Sequence, residues 1–151
     1  MLHELINKNR VDFYNVKFEN WEDAIKASCR TLLADGSITW EYVEDIIKCI
    51  KEHGPYIVIT RNVAIPHAKV NVRGVNASAI SFTKMLYPVS FERGNPEKDA
   101  TLFFTLAASN IDEHYSNMEK LAGLLLNENI LADLLAVNSL DELKAVADKY
   151  K

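Results

Sequence analysis

The sequence predicts an α/β domain in which one mixed β-sheet is flanked by helices on both faces. Three observations predict it. Apolar residues recur at helical spacing before Gly54, β-branched apolar segments crowd the stretch from Tyr56 to Ala107, and helical spacing returns from Asp112 onward. A block of strands between two blocks of helices, in 151 residues, fits a single sheet-centred domain spanning 1–151. No segment repeats, and none has the composition of a disordered tail.

Leu2, Leu5 and Ile6 share one side of a short helix within residues 2–10, and Val11 to Phe18 alternates weakly, as an extended segment would. Asn20 is the expected N-cap of the next helix, with Asp23 three positions on as part of a capping box. Ala24, Ile25, Leu32 and Leu33 lie on one face of that helix, and Asp35-Gly36 ends it. Thr39 caps a helix whose buried stripe is expected to be Trp40, Val43, Ile46, Ile47 and Ile50, stopped at His53-Gly54-Pro55. Strands are expected at Tyr56 to Thr60, Val63 to Ile65, Ala77 to Phe82, Val89 to Phe91 and Thr101 to Ala107. The last is apolar enough to be central, and the charged, turn-rich stretch Glu92 to Asp99 before it reads as a surface loop. Asp112 then caps a helix from Glu113 to about Leu126, with Tyr115, Met118, Leu121 and Leu125 facing inward. A further helix runs from Glu128 to Ala136, and Ser139 caps the last one, where Asp141 and Glu142 suit the helix dipole.

Composition narrows the function classes. The formal net charge of -4 gives no electrostatic reason to expect nucleic acid or an anionic membrane as partner. Cys29 and Cys49 form no Cys-x-x-Cys pair, so they are expected to be two buried thiols in a reducing compartment. The first residues lack the apolar core of a signal peptide, and the run Leu121 to Leu126 is far short of a membrane span. The expected location is cytoplasmic.

The stretch Gly54 to Ala68 carries the chemistry. Pro66 fixes its own φ and pushes Ile65 toward extended geometry, so His67 is presented by stiff backbone. Ala68 is small and leaves room beside the ring. An imidazole held this way suits a nucleophile or a ligand, although a histidine at a strand end is more commonly structural. Of the other histidines, His3 is expected to be solvated, and His53 to complement the carbonyls at a helix end. His114 follows the apolar strand Thr101 to Ala107 and lies in the first turn of a helix, an end that attracts anions. If the two strands lie near one another, His67 and His114 face each other across the sheet edge. Taken alone, His114 reads as an ordinary exposed helical residue.

Ala64-Ile65-Pro66-His67 resembles the active-site signature of enzyme IIA domains of the mannitol/fructose class of the phosphotransferase system. Gly54-Pro55-Tyr56-Ile57-Val58-Ile59, Ala68-Lys69, and the pattern Leu102 to Ala108 followed by His114, Leu121 and Leu124 resemble the ascorbate branch of that class. The resemblance covers the chain from about Trp21 to its end. It implies that His67 accepts a phosphoryl group from the phosphocarrier protein HPr and passes it to a cysteine of enzyme IIB, the sugar being phosphorylated during transport through the membrane component IIC. It also implies that His114 stabilises the phosphoryl group, and no cofactor is implied beyond that group. A neutral imidazole is nucleophilic near neutral pH, and phosphoryl transfer needs chiefly in-line positioning and charge stabilisation. Ser109 and Asn110 are candidate binding residues beside His114. Lys51 is another, because Lys51-Glu52 stands where the wider class has Arg-Glu; a lysine lacks the bidentate fork. Ala68 replaces a frequent glycine, and Val70-Asn71-Val72-Arg73 lacks the Pro-Glu expected in the ascorbate branch, which bears on the sugar more than on the chemistry. The alternative is a regulatory module of the same fold that senses phosphorylation state. A metal site has little support, because no third ligand stands at a recognisable spacing from His67 and His114.

Overall fold

The computed structural model describes residues 1–69 and 73–151, so most of the departure at Val70 to Arg73 lies outside the described residues. Among the described residues, five strands form one mixed sheet in the order β1-β4-β5-β3-β2: β1 (Val11–Tyr14), β2 (Val58–Thr60), β3 (Asn62–Ala64), β4 (Ala79–Ser90) and β5 (Asp99–Ala107). The pairs β1–β4 and β3–β5 are parallel, while β4–β5 and β2–β3 are antiparallel.

Among the described residues, seven α-helices cover the sheet: α1 (Leu2–Asn7), α2 (Trp21–Ser28), α3 (Arg30–Ala34), α4 (Trp40–His53), α5 (Ile111–Leu125), α6 (Glu128–Ala136) and α7 (Leu140–Lys149). The alternation of side chains along β5 divides them. Phe103 and Ala107 point into a core with Ile25, Leu32, Val43 and Ile46 from α2, α3 and α4. Leu102, Phe104 and Leu106 point into a second core with Leu2, Leu121, Leu134 and Leu143 from α1, α5, α6 and α7. Burial on both faces is why this strand reads as an unbroken apolar run. Among the described residues, no helix is long and apolar enough to cross a membrane.

Several boundaries differ from expectation, each for a local reason. The helix begun at Asn20 breaks at Cys29. Its last carbonyl, that of Ser28, is turned to accept from the hydroxyls of Ser81 and Thr105 on the sheet. The two segments expected around Met85 are one strand, β4, because its pairing with β5 resumes after a register shift between Lys84 and Val89. Pro88 occupies that irregular, exposed part, where a missing N–H is tolerated. The buried stripe of α4 holds Val43, Ile46 and Ile50 as expected, but Trp40 is 54% exposed and Tyr42 is buried instead. Gly74 packs over the start of this helix with a φ of +92°, and a Cβ there would lie 2.5 Å from the Tyr42 backbone nitrogen, so glycine is required. Tyr115 also points outward rather than inward. Cys29 is buried, but Cys49 is only half-buried. His3 is not simply solvated, because its Nε2 lies 3.0 Å from the Ala147 carbonyl.

Candidate functional site

β3 and β5 run parallel and adjacent, so the segments leaving their C-terminal ends emerge on the same edge of the sheet. One segment carries His67 and the other leads through Ser109 and Asn110 into α5 and His114. The two imidazole rings converge there, with centroids 5.8 Å apart and planes at 41°. Together with Cys49, His53, Tyr56, Ile111 and Tyr115 they line a cavity of about 440 Å³.

The His67 backbone is fixed from several directions. The Leu106 N–H donates to the Pro66 carbonyl at 2.9 Å, and Ile65 N–H to the Ile57 carbonyl at 2.8 Å. The Ala68 N–H donates to the Tyr42 hydroxyl at 3.2 Å, and that hydroxyl donates to the Leu106 carbonyl at 2.5 Å. Buried Tyr42 thus ties the His67 segment to the end of β5. The Tyr56 hydroxyl donates to the His67 carbonyl, and the two rings meet edge to face at 5.3 Å. Burial pushes the Tyr56 phenol well above its usual range, with Cys49 adding to the effect, so it remains a donor.

His67 Nδ1 lies 2.6 Å from the Ile65 carbonyl oxygen. A carbonyl only accepts, so Nδ1 carries the proton and the neutral ring keeps its lone pair on Nε2. Burial holds the His67 pKa below the usual imidazole value; the Ile65 carbonyl opposes this, and His114 reinforces it. The neutral, nucleophilic form is therefore favoured at neutral pH.

The residues singled out in the sequence separate into two groups. His67 and His114 come together in the cavity. Lys51, Ser109 and Asn110 do not line it. Lys51 is exposed on α4, where Cys49 and His53 face the cavity instead. The Ser109 N–H donates to the Ser78 hydroxyl at 2.9 Å. Asn110 takes over the capping role expected of Asp112: its side chain accepts from the Glu113 N–H at 3.0 Å, and α5 begins two residues earlier than expected. The His114 N–H is already paired with the Asn110 carbonyl at 3.1 Å, so His114 contributes its ring rather than an unpaired backbone donor. Tyr42, Tyr56, Cys49, Ile111 and Tyr115 were not singled out in the sequence as site residues, and His53, expected only to complement a helix end, lines the cavity as well. Only Tyr56 stood in the stretch already singled out, where it was read as the first residue of a strand.

The family model for the phosphoenolpyruvate-dependent sugar phosphotransferase system, EIIA 2, matches residues 4–149, and the chain belongs to that family. It is similar to the ascorbate-specific EIIA component of Mycoplasma pneumoniae, with 30% identity over 87% of this chain and 81% of the relative. The solution structure of the mannitol-specific cryptic enzyme IIA CmtB from Escherichia coli superposes with a TM-score of 0.82, at 28% identity over 98% of both chains. The fold is also that of the mannitol enzyme IIA from Escherichia coli solved in complex with phosphorylated enzyme IIB, with a TM-score of 0.74 at 23% identity over 91% of this chain and 94% of that one.

Proposed function

We propose that His67 accepts a phosphoryl group from HPr on Nε2 and passes it to a cysteine of enzyme IIB, in the uptake of ascorbate or a related sugar through a IIC membrane component. The P–N bond of the donor phosphohistidine breaks as the Nε2–P bond forms. In the second step a IIB thiolate attacks phosphorus, the Nε2–P bond breaks with its electron pair returning to Nε2, and His67 leaves as the neutral imidazole still protonated at Nδ1. His114 donates a hydrogen bond to a phosphoryl oxygen, and Tyr56 keeps the His67 backbone fixed through the exchange. The reading puts the chain in the cytoplasm, where HPr meets it. The observation that carries it is the His67 ring itself: half-buried, neutral, pinned through Nδ1, and 5.8 Å from a second imidazole. The ascorbate-specific relative supports the choice of sugar class.

The test is phosphorylation by phosphoenolpyruvate, enzyme I and HPr, followed by intact-mass measurement before and after acid. The wild type should gain one acid-labile phosphoryl group that a IIB component discharges. His67→Ala should gain none, and His114→Ala should be labelled at least tenfold more slowly, on the order of the loss of one charge-stabilising donor. An unlabelled wild type, or label retained in His67→Ala, rules the proposal out.

A further inference from the structure

The only charged side chain buried among the described residues is Lys84, which is 5% exposed and outside the histidine cavity. It stands on the same face of β4 as Ile80 and Phe82, and its register partners are Phe13 on β1 and Leu102 on β5. Its Nζ has a single acceptor among the described residues, Asn138 Oδ1, at the long distance of 3.4 Å, and it forms no salt bridge with them. An ammonium has three donors and is strongly hydrated, so burying one without a counter-ion is unfavourable unless a further group meets it.

Lys84 opens onto a cavity of about 290 Å³ that it lines with Phe13, Tyr14, Asn15, Leu86 and Asn138. Among the described residues, no acidic side chain lines this cavity. Asn138 turns its oxygen to Lys84, so its amide N–H groups are left to donate elsewhere. Glu142 is the acidic group that acts on Lys84 from α7, but it forms no salt bridge with Lys84 and does not line the cavity, and its Oε1 accepts from the Asn138 N–H and the Ser139 hydroxyl, each at 3.2 Å. The polar groups available to a ligand are therefore mainly donors around one cation, flanked by Phe13 and the exposed Leu86.

We propose that this cavity binds the carboxylate of a small organic acid, with Lys84 as counter-ion, Asn15 and Asn138 as neutral donors, and Phe13 and Leu86 against the apolar part. One cation matches a monoanion better than a phosphate dianion, and the apolar wall favours a carbon skeleton over a bare ion. The site is independent of the phosphoryl chemistry, so His67 labelling serves as a folding and activity control.

Butyrate and inorganic phosphate are the probes, read by the side-chain amide resonances of Asn15 and Asn138 in the full chain. Butyrate should shift both saturably at millimolar concentration, and Lys84→Met should weaken this about tenfold or more while His67 is still labelled, as expected for loss of the charge partner. Lys84→Met should also melt no lower than the wild type in butyrate-free buffer, because it removes a buried charge that has no salt bridge among the described residues. Where Lys84→Met fails to fold, Asn15→Ala and Asn138→Ala replace it and should each weaken butyrate binding several-fold. No saturable shift in the wild type, an equal shift in the variants, or phosphate binding there more tightly than butyrate overturns the proposal. A lowered melting temperature for Lys84→Met without any butyrate response would do the same, leaving Lys84 as a brace for the turn between α6 and α7.

Discussion

The hydroxyl of Tyr42 joins two stretches of backbone that carry different parts of the site, accepting from Ala68 and donating to Leu106. Tyr42→Phe leaves both groups buried without that partner, which should lower stability by about 1–3 kcal/mol. Urea unfolding measures this, and the labelling rate of His67 should fall with it because the ring loses its fixed support. The buried imidazole itself makes a pH prediction. A His67 pKa lowered in the folded state means that the unfolded chain binds more protons below about pH 6.5. This residue therefore opposes folding progressively as pH falls from there toward the folded pKa, and the effect is absent above pH about 6.5. His67→Gln should accordingly show a shallower fall in melting temperature on acidification than the wild type. An equal or steeper fall would contradict the burial argument.

The start of α5 shows how an element can take up residues that look chemical in sequence. Asn110 and Ser109 stand beside His114 in the chain, but the helix uses Asn110 as its cap and the preceding turn uses Ser109. Asn110→Ala should reduce stability by about 1 kcal/mol, and Asn110→Asp should restore most of it. If Asn110 instead held the phosphoryl group, Asn110→Ala would abolish labelling of His67 at unchanged stability. The same competition explains the boundary of α2. No residue near Cys29 is a helix breaker, and the break depends on Ser81 and Thr105, which reach the Ser28 carbonyl from strands more than fifty positions away.

The two cores of the molecule share one sheet, and Phe103 and Phe104 on β5 point into opposite sides of it. Trp21 packs at the edge of the first core and Trp40 sits on α4, so tryptophan fluorescence reports on that side alone. Phe104→Ala, in the other core, should still shift the fluorescence-detected unfolding transition by about 3–5 kcal/mol, because β5 cannot lose one face and keep the other. A fluorescence transition that stays at the wild-type midpoint would mean that the two layers unfold separately. The layering itself was legible in the sequence, since helical spacing, strand-like runs and caps at Asn20 and Ser139 are local properties of the chain. So was the presentation of His67, which Pro66 stiffens through a covalent constraint on its own backbone. The partners of that ring were not. The parallel pairing of β3 with β5 brings His114 to it, and the packing at the start of α4 buries Tyr42 rather than Trp40. Contacts of that kind depend on how whole elements pack, and packing is fixed only when both cores close on the common sheet.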